Sequence, residues 1–172
     1  LLLDPCEDFA AGALPVQDQR LMLYAHEAGV PVQGLERWDA FLADVGQPDQ
    51  QETAQAIALI AAAALNPDGF SASRRAAFSL YRQGRLGAMM IWDRIYLQGI
   101  FGAKQAARLS GLARGYLIED RNQQFLKAMR RPLDAGGAVI AVGAFHLPGD
   151  AGILAGLVGA GYRVKRVPVT GE

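Results

Sequence analysis

The sequence predicts an α/β fold that is mostly helical, with a small, partly parallel sheet of about three strands and a helical insertion. Three short segments, residues 30–35, 138–143 and 162–169, have the composition of strands. Most other segments place apolar residues three and four positions apart, which is typical of amphipathic helices. The last part of the chain runs helix, strand, helix, strand, and this order favours parallel neighbouring strands.

The three predicted strands differ in their expected surroundings. Residues 30–35 contain Pro31, which indicates an edge strand or the start of a strand. Residues 138–143 are apolar throughout, as in a strand that is buried on both faces of a sheet. Residues 162–169 alternate apolar and basic side chains, so one face is expected to be solvated. Because three strands make a thin sheet, we expect further strands from a segment upstream of Leu1 or from a second copy.

Helical periodicity predicts the remaining elements. The turn signal Asn66-Pro67-Asp68-Gly69 ends an alanine-rich helix, and Pro132 is expected to break the longest helix near its end. We interpret residues 48–111 as a helical insertion within a single domain that spans residues 1–172. The predicted helices lie at residues 16–28, 36–45, 48–65, 74–83, 86–99, 112–133 and 150–160.

The composition excludes several classes of protein. The formal net charge is zero, from 17 basic and 17 acidic residues, so a nucleic-acid binder that depends on net charge is not expected. No apolar run approaches the ~20 residues of a membrane-spanning helix, and no signal peptide is recognisable. The single cysteine excludes an intrachain disulfide and a cysteine-rich metal site. Because the chain begins with Leu1, we expect a processed or truncated product.

Two ionisable residues follow predicted strands and mark a candidate site. His146 lies just past residues 138–143, at the position where open α/β sheets bind ligands. A neutral imidazole there would bind a metal ion or accept a proton, and the alternative is a histidine that caps or packs at a strand end. Glu36 follows residues 30–35 and opens the next predicted helix, where a carboxylate complements the helix dipole. If both strands belong to one parallel sheet, Glu36 and His146 lie along the same edge.

Arg121 and Asn122 lie on the longest predicted helix. Asn122 interrupts an apolar stripe, and a buried amide needs hydrogen-bond partners. It therefore either ties the helix to a strand end or contacts a ligand. Arg121 borders the stripe and can pair with a carboxylate through two hydrogen bonds, Glu36 being the obvious candidate for a structural ion pair. The apolar members of the stripe are Ile118, Phe125 and Met129.

Four blocks of the sequence carry a resemblance by their order and spacing. The last block contains Gly143, two residues, His146, then Leu-Pro-Gly, a small apolar helix and Gly-Tyr with a closing strand. Residues 28–36 are similar to a "GKPVxGLE" segment, residues 81–86 to a "YRxGDL" turn, and residues 118–122 to an "ERN" helix, with Asp120 where glutamate is usual. Taken together, the blocks resemble the TraB/PrgY/GumN family over nearly the whole chain.

The resemblance implies a fold shared with erythromycin-esterase-like and ChaN-like proteins and with the TIKI metalloproteases, of which this chain would be the carboxyl-terminal part. It also implies a metal-dependent hydrolase, with peptides as one candidate substrate. By that analogy the catalytic residues are His146, Glu36, Arg121 and Asn122, and the ligands of a Mn, Co or Zn ion include His146 and Glu36. The family carries two Gly-x-x-His motifs and this chain has only the second, so we expect it to be inactive alone.

Two other functions remain open. The same crevice could bind a peptide, a haem-like or other small-molecule ligand, or a polysaccharide-export partner without turnover. Alternatively, the chain is a scaffold half whose strand edges pair with the upstream segment or with a second copy in a homodimer. Family analogy implies a periplasmic or other extracytoplasmic location.

Overall fold

The computed structural model describes residues 17–37, 39–65 and 67–167, and these residues are mainly helical. None of their helices combines the length and the apolar composition of a membrane-spanning segment. Short 3-10 turns cover Pro48–Gln50 and Ala144–His146, and a π-helical segment covers Gly115–Asp120. The α-helices are α1 Gln17–Glu27, α2 Ala40–Val45, α3 Gln51–Leu65, α4 Pro67–Arg82, α5 Leu86–Phe101, α6 Ala103–Arg114, α7 Arg121–Ala135 and α8 Ile153–Gly159.

Helix α6, the π-helical segment and α7 form one continuous helix. The residues at both junctions, Arg114 and Arg121, keep helical backbone angles. The predicted break at Pro132 is wrong, because α7 continues to Ala135. It ends at Gly136, whose φ of +77° is a conformation that glycine adopts at little cost. Since π-helical segments occur frequently at functional sites, the junction at Arg121 is a place to look for one.

The helices α3, α5 and α6 share a buried cluster of Ala63, Leu97 and Ala106. The hydroxyl of Tyr96 donates a hydrogen bond to the carbonyl of Ala63 at 3.2 Å, which ties α5 to α3. A second bond, from the indole of Trp92 to the Ser73 hydroxyl at 3.0 Å, ties α5 to α4. The helices in the middle of the chain therefore have a core of their own.

A second buried cluster joins α7 to α8 and to two non-helical segments. Its buried members are Phe125, Met129 and Ile153. Helix α8 lies so close to α7 that a Cβ atom at Gly156 would be 2.4 Å from a methyl carbon of Leu126. The half-buried residues packed against the cluster include Leu35, Ile140 and Val142. These contacts bring the segments that precede Glu36 and His146 onto the same helix.

The predicted parallel sheet is wrong for the described residues, because none of them forms a β-strand. Residues 30–34, 137–143 and 162–167 are non-helical and pair with no other strand in this part of the chain, and residues 168–169 lie outside it. A strand requires a neighbouring backbone that exchanges hydrogen bonds with it. Ile140 and Val142 do pack inward, but Val139, directly before Ile140, is 88% exposed. The expectation of burial on both faces therefore also fails.

Candidate functional site

Glu36 is held by Arg121. It lies in a bend before α2 and not in a first helical turn, because α2 begins only at Ala40, so the predicted helix-dipole role is wrong. Its carboxylate accepts two hydrogen bonds, from Nε of Arg121 to Oε2 at 3.0 Å and from Nη2 to Oε1. The side chains of Arg121 and Glu36 are 29% and 20% exposed. Such a partly shielded, two-bond pair holds both groups in one geometry.

Two further contacts fix the Arg121 guanidinium. Its Nη1 donates to the carbonyl of Leu117, one helical turn earlier, at 3.2 Å. Its central carbon lies 5.3 Å from the centroid of the Phe125 ring, a cation–π distance. Arg121 is thus a rigid connection between the segment that ends at Glu36 and the start of α7.

His146 is held by Asn122, the residue that follows Arg121 on α7. Oδ1 of Asn122 lies 2.6 Å from Nδ1 of His146. Nδ2 of Asn122 donates to the carbonyls of His146 at 3.1 Å and of Ala151 at 2.8 Å. Asn122 is 1% exposed, so these three partners satisfy an amide that is otherwise isolated from water. Of the two alternatives for Asn122, the structure shows the tie to the segment after residues 138–143.

Consecutive residues at the start of α7 therefore bring the four predicted site residues together. A helix turns by about 100° per residue, so Arg121 and Asn122 face different neighbours. Arg121 faces Glu36, and Asn122 faces His146. The sequence analysis predicts that these residues come together at the edge of a sheet, whereas in the structure α7 brings them together.

The imidazole of His146 is buried, and its surroundings favour the neutral form. It is 7% exposed, and its ring centroid lies 5.0 Å from that of Phe125 at an interplanar angle of 50°. Burial lowers the pKa of His146, the Arg121 charge lowers it further, and the Glu36 charge opposes them. The next helix begins only at Ile153, and its N-terminus is not among the causes of this shift. Burial and the Arg121 charge are the causes that favour the neutral form.

The loop after His146 is closed tightly around Gly152. A Cβ atom at this position would be 2.4 Å from the Leu147 carbonyl oxygen and 2.5 Å from that of Pro148. The Leu154 amide donates to the same Leu147 carbonyl at 3.3 Å. Only glycine fits, and this closure presents the Ala151 carbonyl to Asn122. The sequence reasoning missed Gly152, although a second glycine soon after Gly149 is a signal for a tight loop.

A small cavity is lined by the Glu36–Arg121 pair and neighbouring polar residues. Its volume is about 30 Å³, which is room for a water molecule or two. Burial and the nearby Asp44 charge raise the pKa of the Tyr116 hydroxyl that lines it. Asp44 and Tyr116 were not predicted as site residues. The helical patterns contained a weak signal, since Tyr116 and Asp120 are four residues apart on one face. The lining residues are Glu36, Ala40, Asp44, Tyr116, Asp120, Arg121 and Gln124.

Of the two predicted metal ligands, His146 suits the role better than Glu36. A metal-binding histidine is neutral and usually holds its other ring nitrogen in a hydrogen bond, as His146 does with Asn122. Both carboxylate oxygens of Glu36 already bind Arg121. Within residues 17–37, 39–65 and 67–167, no three histidine, cysteine, aspartate or glutamate side chains form a group that could hold a metal ion.

Comparison with known proteins identifies one relationship. The sequence model of the TraB/PrgY/gumN family matches residues 2–166, which is nearly the whole chain. No curated protein and no solved structure matches the chain. The match confirms the resemblance carried by the four sequence blocks.

Proposed function

The chain belongs to the TraB/PrgY/gumN family, and on that basis we propose that it carries part of a metal-dependent hydrolase site. The observation that carries the proposal is the state of His146. Its imidazole is buried, its pKa is lowered, and one ring nitrogen is hydrogen-bonded to Asn122. A neutral histidine oriented through one nitrogen is the form that binds metal ions.

The site residues have different roles in this proposal. His146 is a ligand of a Mn, Co or Zn ion, and in such sites the metal serves to activate water for hydrolysis. Arg121 and Glu36 are positioning residues that hold the segment before α2 against α7, and the Arg121 charge disfavours protonation of His146. Catalytic zinc sites use three protein ligands. The remaining ligands would therefore come from beyond the described residues.

A thermal-shift titration with Mn²⁺, Co²⁺ and Zn²⁺ tests the metal site. A metal ion at roughly 100 times its Kd stabilises the folded protein by ~2.7 kcal/mol. The matched control is the second histidine, His26, which is exposed on α1. We expect stabilisation in the wild type and in His26→Ala, and its loss in His146→Ala. Equal stabilisation of all three proteins, or of none, would contradict a metal site at His146 in this chain.

Family analogy adds a substrate class and a location to the proposal. The substrate would be a peptide or another hydrolysable small molecule, and the protein would be extracytoplasmic. Hydrolysis of a peptide library by metal-loaded protein that contains the remaining ligands, lost in His146→Ala, tests the first part. Fractionation of expressing cells tests the second, and recovery in the cytoplasm alone would contradict it.

A second proposed role, as a strand-pairing scaffold, is favoured by the exposed side chain of Val139. This valine is 88% exposed, while its neighbours Ile140 and Val142 pack against the α7–α8 cluster. Within the described residues, the backbone of residues 138–142 makes no hydrogen bond to another segment. A partner strand would satisfy those groups and cover Val139. It would come from elsewhere in the same protein or from a second copy.

Light scattering over a range of protein concentrations tests the second-copy form of this role. We expect a dimer that Val139→Lys abolishes and Ile91→Lys retains. Ile91 is the matched control because it is an exposed aliphatic residue on α5, away from this segment. A monomer at every concentration would contradict a homodimer and leave a strand of the same protein as the partner.

A further inference from the structure

The orientation of the Asn122 amide follows from its neighbours. A side-chain amide has one end that only donates and one end that only accepts. Two backbone carbonyls, of His146 and Ala151, lie 3.1 and 2.8 Å from one end of this amide. Carbonyl oxygens only accept hydrogen bonds, so that end must be the NH₂ group. The opposite orientation would set an oxygen against two oxygens.

This orientation determines which nitrogen of His146 carries the proton. With the NH₂ group facing the carbonyls, the amide oxygen faces Nδ1 of His146 at 2.6 Å. An amide oxygen cannot donate, so the hydrogen atom of this short bond belongs to Nδ1. A neutral imidazole carries one N–H, and Nε2 is then left with a lone pair.

The surroundings of Nε2 are consistent with a reactive nitrogen. No hydrogen bond to Nε2 occurs within the described residues. The residue as a whole keeps 7% of its surface exposed. An imidazole nitrogen with a lone pair is able to bind a metal ion or accept a proton.

We propose that Asn122 is a positioning residue that holds His146 as the Nδ1–H tautomer and so makes Nε2 the reactive nitrogen. The tautomer does not depend on the proposed hydrolase function. Only the use made of Nε2, as a metal ligand or proton acceptor, rests on that function.

Nitrogen NMR of the metal-free wild-type protein tests the tautomer directly. The chain has two histidines, so the imidazole spectrum contains one buried ring and one exposed ring, His26, as an internal reference. At a pH where His146 is neutral, we expect its Nδ1 to resonate as a protonated nitrogen and Nε2 as an unprotonated one. The reverse pattern, or the rapid averaging expected of His26, would overturn the proposal.

The Asn122→Leu variant tests whether Asn122 is the cause. Leucine keeps the branched shape but has no acceptor, so we expect His146 to populate the Nε2–H tautomer that free histidine favours in water. Retention of Nδ1–H in this variant would overturn the role of Asn122. If the variant does not fold, the exchange rate and the nuclear Overhauser contacts of the His146 Nδ1 proton in the wild type test the role of Asn122. Slow exchange and a nuclear Overhauser contact with the Asn122 amide support the proposal, and absence of both overturns it.

Addition of Zn²⁺ to the same NMR sample separates the two proposals. A tautomer held as Nδ1–H with no change at Nε2 on addition of the metal would contradict the metal site and leave the tautomer intact. A metal-induced shift at Nδ1 instead of Nε2 would overturn the tautomer and keep a metal site.

Discussion

Replacement of Asn122 by leucine is expected to lower the free energy of unfolding by about 2–6 kcal/mol, from two buried polar groups that each lose a partner. The variant removes the amide that satisfies the backbone carbonyl and Nδ1 of His146, both of which are buried. A buried polar group left without its partner costs roughly 1–3 kcal/mol. The Ala151 carbonyl loses its donor too, but it lies where water can replace the amide, so its contribution is small.

Urea denaturation followed by circular dichroism measures this change. Gln123→Leu is the matched control, because Gln123 is the exposed neighbour on the same helix and its replacement should alter stability by no more than about 0.5 kcal/mol. We expect equal slopes against urea for both variants, so that the shift in midpoint reports stability alone. A loss in Asn122→Leu no larger than in Gln123→Leu would refute the argument that the buried hydrogen bonds of Asn122 stabilise this region.

Four further substitutions, at Gly152, Glu36, His146 and Val139, have predicted effects on stability. Gly152→Ala should destabilise by roughly 1–3 kcal/mol, because the added Cβ overlaps two carbonyl oxygens, and wild-type thermal stability in this variant would show that the loop can yield. Glu36→Gln should lower stability by roughly 1–3 kcal/mol, since it leaves the Arg121 charge partly shielded without its counter-ion, and stability unchanged by urea titration would contradict that. The pKa of His146 in the folded state lies below its ordinary 6.5, so on acidification the unfolded state takes up a proton before the folded state does. The stability that comes from keeping His146 neutral is therefore fully present above about pH 6.5. It is lost as the pH falls toward the folded-state pKa. His146→Gln should flatten that slope, and an unchanged pH dependence would count against it. Val139→Lys should leave the thermal stability of a monomer within about 0.5 kcal/mol of wild type, because the side chain is exposed.

Most of the helices could be predicted from local sequence, and the sheet could not. Apolar spacing is a property of the chain itself, so α3, α5 and most of α7 follow from it. A strand depends on a partner that is distant in sequence. Residues 138–143 have the composition of a buried strand. The described residues contain no second strand that pairs with them, and Val139 is left exposed. The π-helical segment before Arg121 was also not predictable, because no residue type specifies one.

The sequence by itself determined that Asn122, an amide within an apolar helical stripe, requires partners, and that Arg121 beside it is suited to a carboxylate. Only the tertiary structure decided which partners these are. Contacts between residues 85 positions apart, such as Arg121 and Glu36, depend on how the intervening chain packs. The tautomer of His146 depends on tertiary structure for the same reason. It follows from two carbonyl groups that orient one amide, and no pattern within the sequence records that geometry.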